Sequence, residues 1–331
     1  MLVSFIIPAY NASATIKRCL DSIYALPLKE SVFEVIVIDD CSSDNTVELL
    51  KDYAIGHSNL VLLRQKENHR QGAARNRGVA VAQGRYIAFV DSDDETAEGV
   101  IAAVQLAEEN DLDMVAIRCT VVDKEGKTDR EVSLPYNQDK VFTGMELQTE
   151  FAFWGTAPWH YVYKKSFLEV VNYRFVEDVL FEDSDFVNVH LYYAKRMSYC
   201  DECGYVVHYN SESTTRSSSY MHLCDYALLG TRMLNLYESL EDKTTKYAEG
   251  ILEGGSYNIM KAFHKLPRLK SRSELRAFYD RFDGRYDRKR LLVYRQPDYC
   301  WNRWTRLGLK HRNCVVFLLG FTAPVLKLYQ K

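Results

Sequence analysis

Short, evenly apolar runs alternate with amphipathic stretches through the first 110 residues. Leu2 to Pro8, Phe33 to Ile38, Leu60 to Leu63 within Asn59 to Gln65, and Tyr86 to Val90 are too short for helices. They read as strands buried on both faces, the first breaking at Pro8. Helical patterns separate them: Ser13 to Tyr24, with Ile16, Leu20 and Ile23 at helical spacing, and Thr46 to Tyr53, preceded by the cap candidates Ser42, Ser43 and Asp44. An Ala-rich helix follows Gly72, and another spans Ala97 to Asn110. Strict strand–helix alternation predicts an α/β fold with a doubly wound parallel sheet.

Beyond residue 110 the pattern changes. Asp113 to Asp123 reads as a strand running into a Lys124-Glu125-Gly126 turn and a hairpin return, and Thr143 to Phe153 as a helix. Thr156 to Leu168 is an aromatic strand leading into a basic helix start. Glu182-Asp183 opens an amphipathic helix with Phe186, Val189 and Tyr193 inward. Cys203 to Ser218 is a strand followed by a polar loop. From Tyr220 the chain reads as helices, Tyr220 to Leu240, Lys243 to Lys265 interrupted at Gly254-Gly255, and Ser271 to Phe282. A chain of 331 residues is long for one core, so one large α/β domain, 1–219, with a helical appendage, 220–331, is expected.

Chemistry concentrates at strand ends. After Tyr86 to Val90 come Asp91, Asp93, Asp94 and Glu95. If the chain stays extended, Asp91 and Asp93 share a side and make a hard oxygen site suited to Mg²⁺ or Mn²⁺, completed by a diphosphate. The turn after the first strand carries Pro-Ala-Tyr-Asn where a dinucleotide fold carries glycines, which argues against an NAD enzyme. Tyr10 offers a ring for a base to stack on. After the second strand, Asp40 can accept a ring N–H of a base while Asp39 holds the turn, beside the crevice where open α/β sheets bind ligands. Arg75, early in the Ala-rich helix, is placed to reach a phosphate. The first 110 residues therefore read as a nucleotide-binding half.

Charge adds a second theme. Residues 261–331 carry 18 Lys and Arg against 5 Asp and Glu, leaving a net −16 on residues 1–260. A basic tail holding Trp301, Trp304 and the apolar run Val315 to Leu326, broken by Gly320 and Pro324, is too short to span a bilayer and suits an anionic membrane surface. Nucleic acid is the less favoured partner, since it leaves the apolar terminus unexplained. The chain opens directly on a strand without a secretory pattern, and its eight scattered cysteines suit reduced thiols. Both point to the cytoplasm, with the protein peripheral on the inner membrane face. Cys200-x-x-Cys203 with His208, His222 and Cys224 matches no standard zinc spacing.

Taken in order, strand-PAYN, VIVIDDCSSDNT, GAARNRG and GRYIAFVDSDD resemble the inverting family 2 glycosyltransferases of the GT-A fold, closely over residues 1 to 95. The resemblance implies that Pro8, Tyr10 and Asp40 line the nucleoside pocket, that Asp91 sits near the ribose, and that Asp93 ligates the divalent metal. It makes residues 111–219 the acceptor half and assigns Asp183, in the family's ED motif, as general base. Glu177-Asp178 and Asp185 are alternative acids. Trp159 and Glu182 become acceptor contacts, and His208 or Arg216 contacts to phosphate or metal. Cys41 stands where the family usually has Gly, which makes a positive φ there harder to reach, and His160 where it often has Asn. The expected activity is transfer from a nucleotide sugar, a UDP sugar, to a glycan or lipid-linked glycan. The rivals are a sugar-phosphate nucleotidyltransferase and an inactive transferase-like scaffold at a membrane.

Overall fold

The computed structural model describes residues 1–283 apart from 137–139, 151–154, 210–219, 267–268 and 270. The basic, apolar tail and Arg216 lie outside the described residues. The chain divides into two compact units, Met1–Ser211 and Glu212–Lys331.

In the first unit β1 (Val3–Ala9), α1 (Ile16–Tyr24), β2 (Phe33–Asp39), α2 (Thr46–Gly56), β3 (Leu60–Arg64), α3 (Arg70–Val81) and β4 (Tyr86–Phe89) follow the expected alternation. Next come β5 (Glu95–Thr96), α4 (Gly99–Asn110), the hairpin β6 (Met114–Val122) and β7 (Thr128–Val132), then α5 (Gly144–Glu150), β8 (Tyr161–Lys164), α6 (Lys165–Val171), α7 (Glu182–Tyr193) and β9 (Met197–His208). The sheet order is β3-β2-β1-β4-β8-β6-β9-β5, with β7 on β6. β3, β2, β1 and β4 are parallel; β8 runs against both β4 and β6.

Alternate side chains fill two cores, as period-2 geometry requires. Phe5 and Ile7 meet Ile16, Leu20 and Ile23 of α1 and Val104 of α4; Ile6, Ile36 and Ile38 meet Ala74 of α3 and Phe186 and Leu191 of α7. β3 is only partly covered, with Val61 37% exposed, but β1, β2 and β4 are buried along their whole length, by apolar residues at nearly every position. That is why they read as unbroken runs.

Two expectations fail for local reasons. β1 continues through Pro8, which pairs with Ile38. The Ile6 carbonyl accepts the Val90 N–H on the β4 side and the Ala9 carbonyl accepts the Asp40 N–H on the β2 side. Pro8, two residues after Ile6, thus turns its missing N–H toward β4 where that ladder has ended. Tyr193, expected inward, is 48% exposed at the last position of α7.

The second unit holds α8 (Tyr220–Ser239), α9 (Lys246–His264) and α10 (Arg272–Asp283). α9 runs unbroken through Gly254-Gly255. A Cβ built on Gly230 of α8 would come within 2.6 Å of the Gly255 carbonyl oxygen, so glycine here serves a close helix crossing rather than a break.

Candidate active site

The site forms where the parallel strands end. The turn after β1 is stitched to the turn after β2: the N–H of Asn11 donates to Ser42 Oγ at 2.9 Å, Ala12 N–H to Thr46 Oγ1 at 2.8 Å, and Asn11 Oδ1 accepts from Ser43 N–H at 2.9 Å. Tyr10 stands on this loop 52% exposed, beside buried Pro8.

Asp39 holds the turn, accepting from Ser42 N–H and pairing with Arg64 Nε at 3.2 Å. Buried Asp40 accepts from Gln65 Nε2 at 2.7 Å and His69 N–H at 2.8 Å, both at Oδ1, which leaves Oδ2 outside these bonds. Burial raises its pKa, partly offset by those donors. Cys41 does adopt φ +65°, the conformation its side chain disfavours. Asp39 and Asp40 anchor the turn tightly enough to hold it there.

The chain does not stay extended beyond Val90. It turns at once, with the N–H of Asp94 donating to the Asp91 carbonyl at 3.1 Å, so Asp91 and Asp93 are set by a turn and not by strand alternation. Arg18 of α1 donates to the Asp93 carbonyl and lies 3.4 Å from Glu95, and His208 Nε2 meets Glu95 Oε1 at 2.5 Å. Asp94, which the sequence did not single out, is the buried acid of the group; it accepts the Tyr205 phenol at 2.9 Å and His208 N–H at 2.8 Å. Burial, reinforced by Asp91 and Asp93, pushes its pKa up to about 8.

Among the described residues no three His, Cys, Asp or Glu side chains form a ready cation cage. A divalent ion that arrives with a diphosphate needs only one or two carboxylates. The acidic turn supplies them, and the mutual repulsion acting on Asp94 is what a cation would relieve. The donor set fits.

Glu182 and Asp183 open α7 after Phe181, itself at φ +66°. Glu182 is fully buried, so it is not an acceptor contact; it binds Arg75 Nη1 at 2.6 Å, and burial raises its pKa while Arg75 lowers it. Arg75 in turn is 2% exposed and gives Nη2 to Asp91 at 2.7 Å. Its guanidinium is taken up by two carboxylates, a different role from the phosphate contact expected of it. Asp183 is partly exposed, with Oδ1 accepting the Ser184 N–H at 3.1 Å; burial and the nearby Asp91 raise its pKa while Arg75 lowers it. The alternative acids are engaged elsewhere: Glu177 with Asn76, Asp178 with His69, and buried Asp185 with Tyr173. Trp159 stacks on Tyr205 at 4.5 Å and packs on the core, which commits one ring face to the interior. His160 is buried, and burial lowers its pKa to about 3.

Comparison with known proteins bears on the fold and the family. The sequence of an uncharacterized glycosyltransferase, EpsJ of Bacillus subtilis (strain 168), is 31% identical over 224 residues, 65% of this chain and 63% of the relative. The chain therefore spans under two thirds of that relative's length. A poly(ribitol-phosphate) beta-glucosyltransferase of Bacillus spizizenii is 34% identical over 116 residues, 34% of this chain and 18% of the relative. S. aureus TarS 1-349 in complex with UDP-GlcNAc superposes with a TM-score of 0.59 at 21% identity, covering 90% of this chain and 94% of that one. The mannosyltransferase PcManGT of Pyrobaculum calidifontis, in complex with GDP-Man and Mn²⁺, gives 0.55 at 18% identity, covering 99% and 87%. These likenesses establish the fold as that of the GT-A enzymes. The model of Glycosyl transferase family 2 matches residues 4–174, just over half of the sequence, and the chain belongs to that family.

Proposed function

We propose that the protein is an inverting glycosyltransferase that moves a sugar from a UDP sugar to a hydroxyl of a glycan or lipid-linked glycan, assisted by Mn²⁺ or Mg²⁺. The observation that carries this reading is Asp183, the one acid in the first turn of α7 that is not buried, next to Glu182, which Arg75 joins to Asp91 at the end of β4. A carboxylate with a raised proton affinity, held at a helix start, suits a general base.

Asp183 takes the proton of the acceptor hydroxyl as that oxygen bonds to the anomeric carbon. The bond from that carbon to the diphosphate breaks on the opposite face, its electron pair leaves with the nucleoside diphosphate, and the configuration inverts. Asp40 accepts a base N–H, Tyr10 stacks on the ring beside Pro8, and Asp91 lies toward the ribose. Asp93 would hold the cation, which when bound would supply positive charge to offset that on the leaving diphosphate. The exposure of Tyr10 beside buried Asp40 supports a nucleobase there.

The sequence of the tail supports a place on the cytoplasmic face of a membrane, which suits a lipid-linked acceptor; no described helix is long and apolar enough to cross one. Flotation with anionic liposomes compares the full chain with one ending at Lys310, and both remaining unbound at low salt ends the membrane reading. The donor screen measures nucleoside diphosphate released from UDP and GDP sugars with and without Mn²⁺. Release from GDP sugars alone removes the UDP reading, and release from none favours the inactive scaffold.

A further inference from the structure

The motif that begins α3 does more than pack against the sheet. Its residues grip the segment that carries Asp183, contact by contact. His69 Nδ1 meets Asp178 Oδ1 at 2.8 Å, and the His69 carbonyl accepts the Asp178 N–H at 3.2 Å. Gly72 lets the two backbones touch, since a Cβ there would sit 2.5 Å from the Val176 carbonyl oxygen and 3.0 Å from Glu182 Cγ. The Asn76 side chain serves both backbone groups of Phe175, accepting its N–H at 3.0 Å and donating to its carbonyl at 3.0 Å, and also donates to Glu177 at 2.9 Å. Arg75 lies 5.4 Å from the Phe175 ring centroid and bonds Glu182. The gripped segment includes two non-glycine residues at positive φ, Asp178 and Phe181. Such backbone persists only where its surroundings over-determine it.

We propose that Arg75 is a positioning residue for transfer: by joining Glu182 to Asp91 across the docked segment, it fixes Asp183, the next residue along α7, relative to the donor end of β4. The proposal rests on Asp183 being the base. A guanidinium has the planar fork to satisfy two carboxylates at once and stays protonated; an ammonium is a point charge that cannot span the same gap with the same geometry. The charged and titratable groups facing Asp183 are Arg75 from α3, Asp91 from the end of β4, Tyr163 from β8 and Glu182 beside it. Arg75 favours the ionised base; Asp91 and Glu182 oppose it.

The test uses Arg75→Lys, Arg75→Gln and Glu182→Gln in the full chain, beside Asp183→Asn. UDP binding is measured by calorimetry, folding by thermal melting, and turnover with whichever sugar nucleotide the donor screen selects. We expect Arg75→Lys to bind UDP within about threefold of the parent and to lose about 10- to 100-fold in kcat per folded molecule. The acidic limb of the pH–rate profile should move to higher pH in Arg75→Gln and to lower pH in Glu182→Gln. Opposite shifts are what loss of a cation and of an anion beside one base produce. A purely structural role predicts less folded protein with unchanged kcat per folded molecule and an unmoved limb, and that result overturns the proposal. Should both Arg75 variants fail to fold, Glu182→Gln decides by its limb, since it keeps the shape and an acceptor oxygen for Arg75 while removing the anion: an unmoved limb overturns the proposal. An active Asp183→Asn removes the base reading itself, whereas an inactive Asp183→Asn beside a fully active Arg75→Lys removes the positioning role alone.

Discussion

Tyr205 donates its phenol to Asp94 at 2.9 Å, and the same oxygen accepts the backbone N–H of Asp91 at 3.0 Å. One side chain from β9 thus clamps both ends of the acidic turn from within the core. Tyr205→Phe keeps the ring and its stack on Trp159 but removes both bonds. Leaving a buried donor and acceptor short of a partner costs about 1–3 kcal/mol. The variant should melt lower and bind UDP with Mn²⁺ more weakly than UDP alone would suggest. Melting and calorimetry indistinguishable from the parent would show that the clamp is dispensable.

Asp93→Ala should abolish cation-dependent transfer while leaving the melting temperature close to the parent's, because Asp93 is partly exposed in the turn. The measurement is turnover against added Mn²⁺ or Mg²⁺, with EDTA as the control. Undiminished turnover of the parent in EDTA removes the cation from the mechanism.

Asp183→Asn keeps size and the bond from Ser184 but cannot take a proton. General-base assistance is typically worth about 10²–10⁴ in rate, so kcat should fall by that range with UDP affinity retained. Normal turnover in this variant together with loss in Asp178→Asn would move the base to the neighbouring loop.

His190 lies buried among Phe186, Phe167, Tyr163 and Tyr173, with Nδ1 donating to the Phe186 carbonyl at 2.8 Å and Nε2 without a partner among the described residues. Burial holds its pKa at about 4, below the value of about 6.5 for a free histidine. Between those values the unfolded chain binds a proton that the folded chain refuses. Stability is therefore complete above about pH 6.5 and declines as pH falls toward 4, by an amount on the order of 3 kcal/mol. Urea titrations across that window should show a shallower decline for His190→Phe than for the parent; equal slopes would mean the imidazole is hydrated or charged in place.

Signals within a few residues made the parallel half legible. Apolar runs bounded by Gly84 or by paired acids gave β1 to β4; of the cap candidates before α2, Asp44 accepts the Thr46 N–H at 3.0 Å, although the capping position itself is Asn45. Failures trace to partners far along the chain. An arginine on a helix usually faces water, and nothing near Arg75 signals that Asp91 and Glu182 enclose it. Asp94 looked like one acid among four until Tyr205 and His208 arrived from β9. Gly254-Gly255 looked like a stop because a single sequence does not show that another helix passes with Gly230 at the crossing. Asp183 was singled out by its motif alone, and the structure adds that Glu177, Asp178 and Asp185 have partners of their own.

The sheet order has a consequence for how the chain is made. β6 pairs along its whole length with β9, from Met114 with Met197 to Val122 with His208, and its other flank waits for β8. The parallel half needs only residues already emerged, but β6 leaves the ribosome long before either long partner exists. Its unbroken apolar stretch, Met114 to Ile117, then presents free backbone and greasy side chains to any neighbouring nascent chain. A polypeptide that stops before β9 keeps that edge unpaired, so fragments ending in the middle of the chain are expected to stick to one another through it.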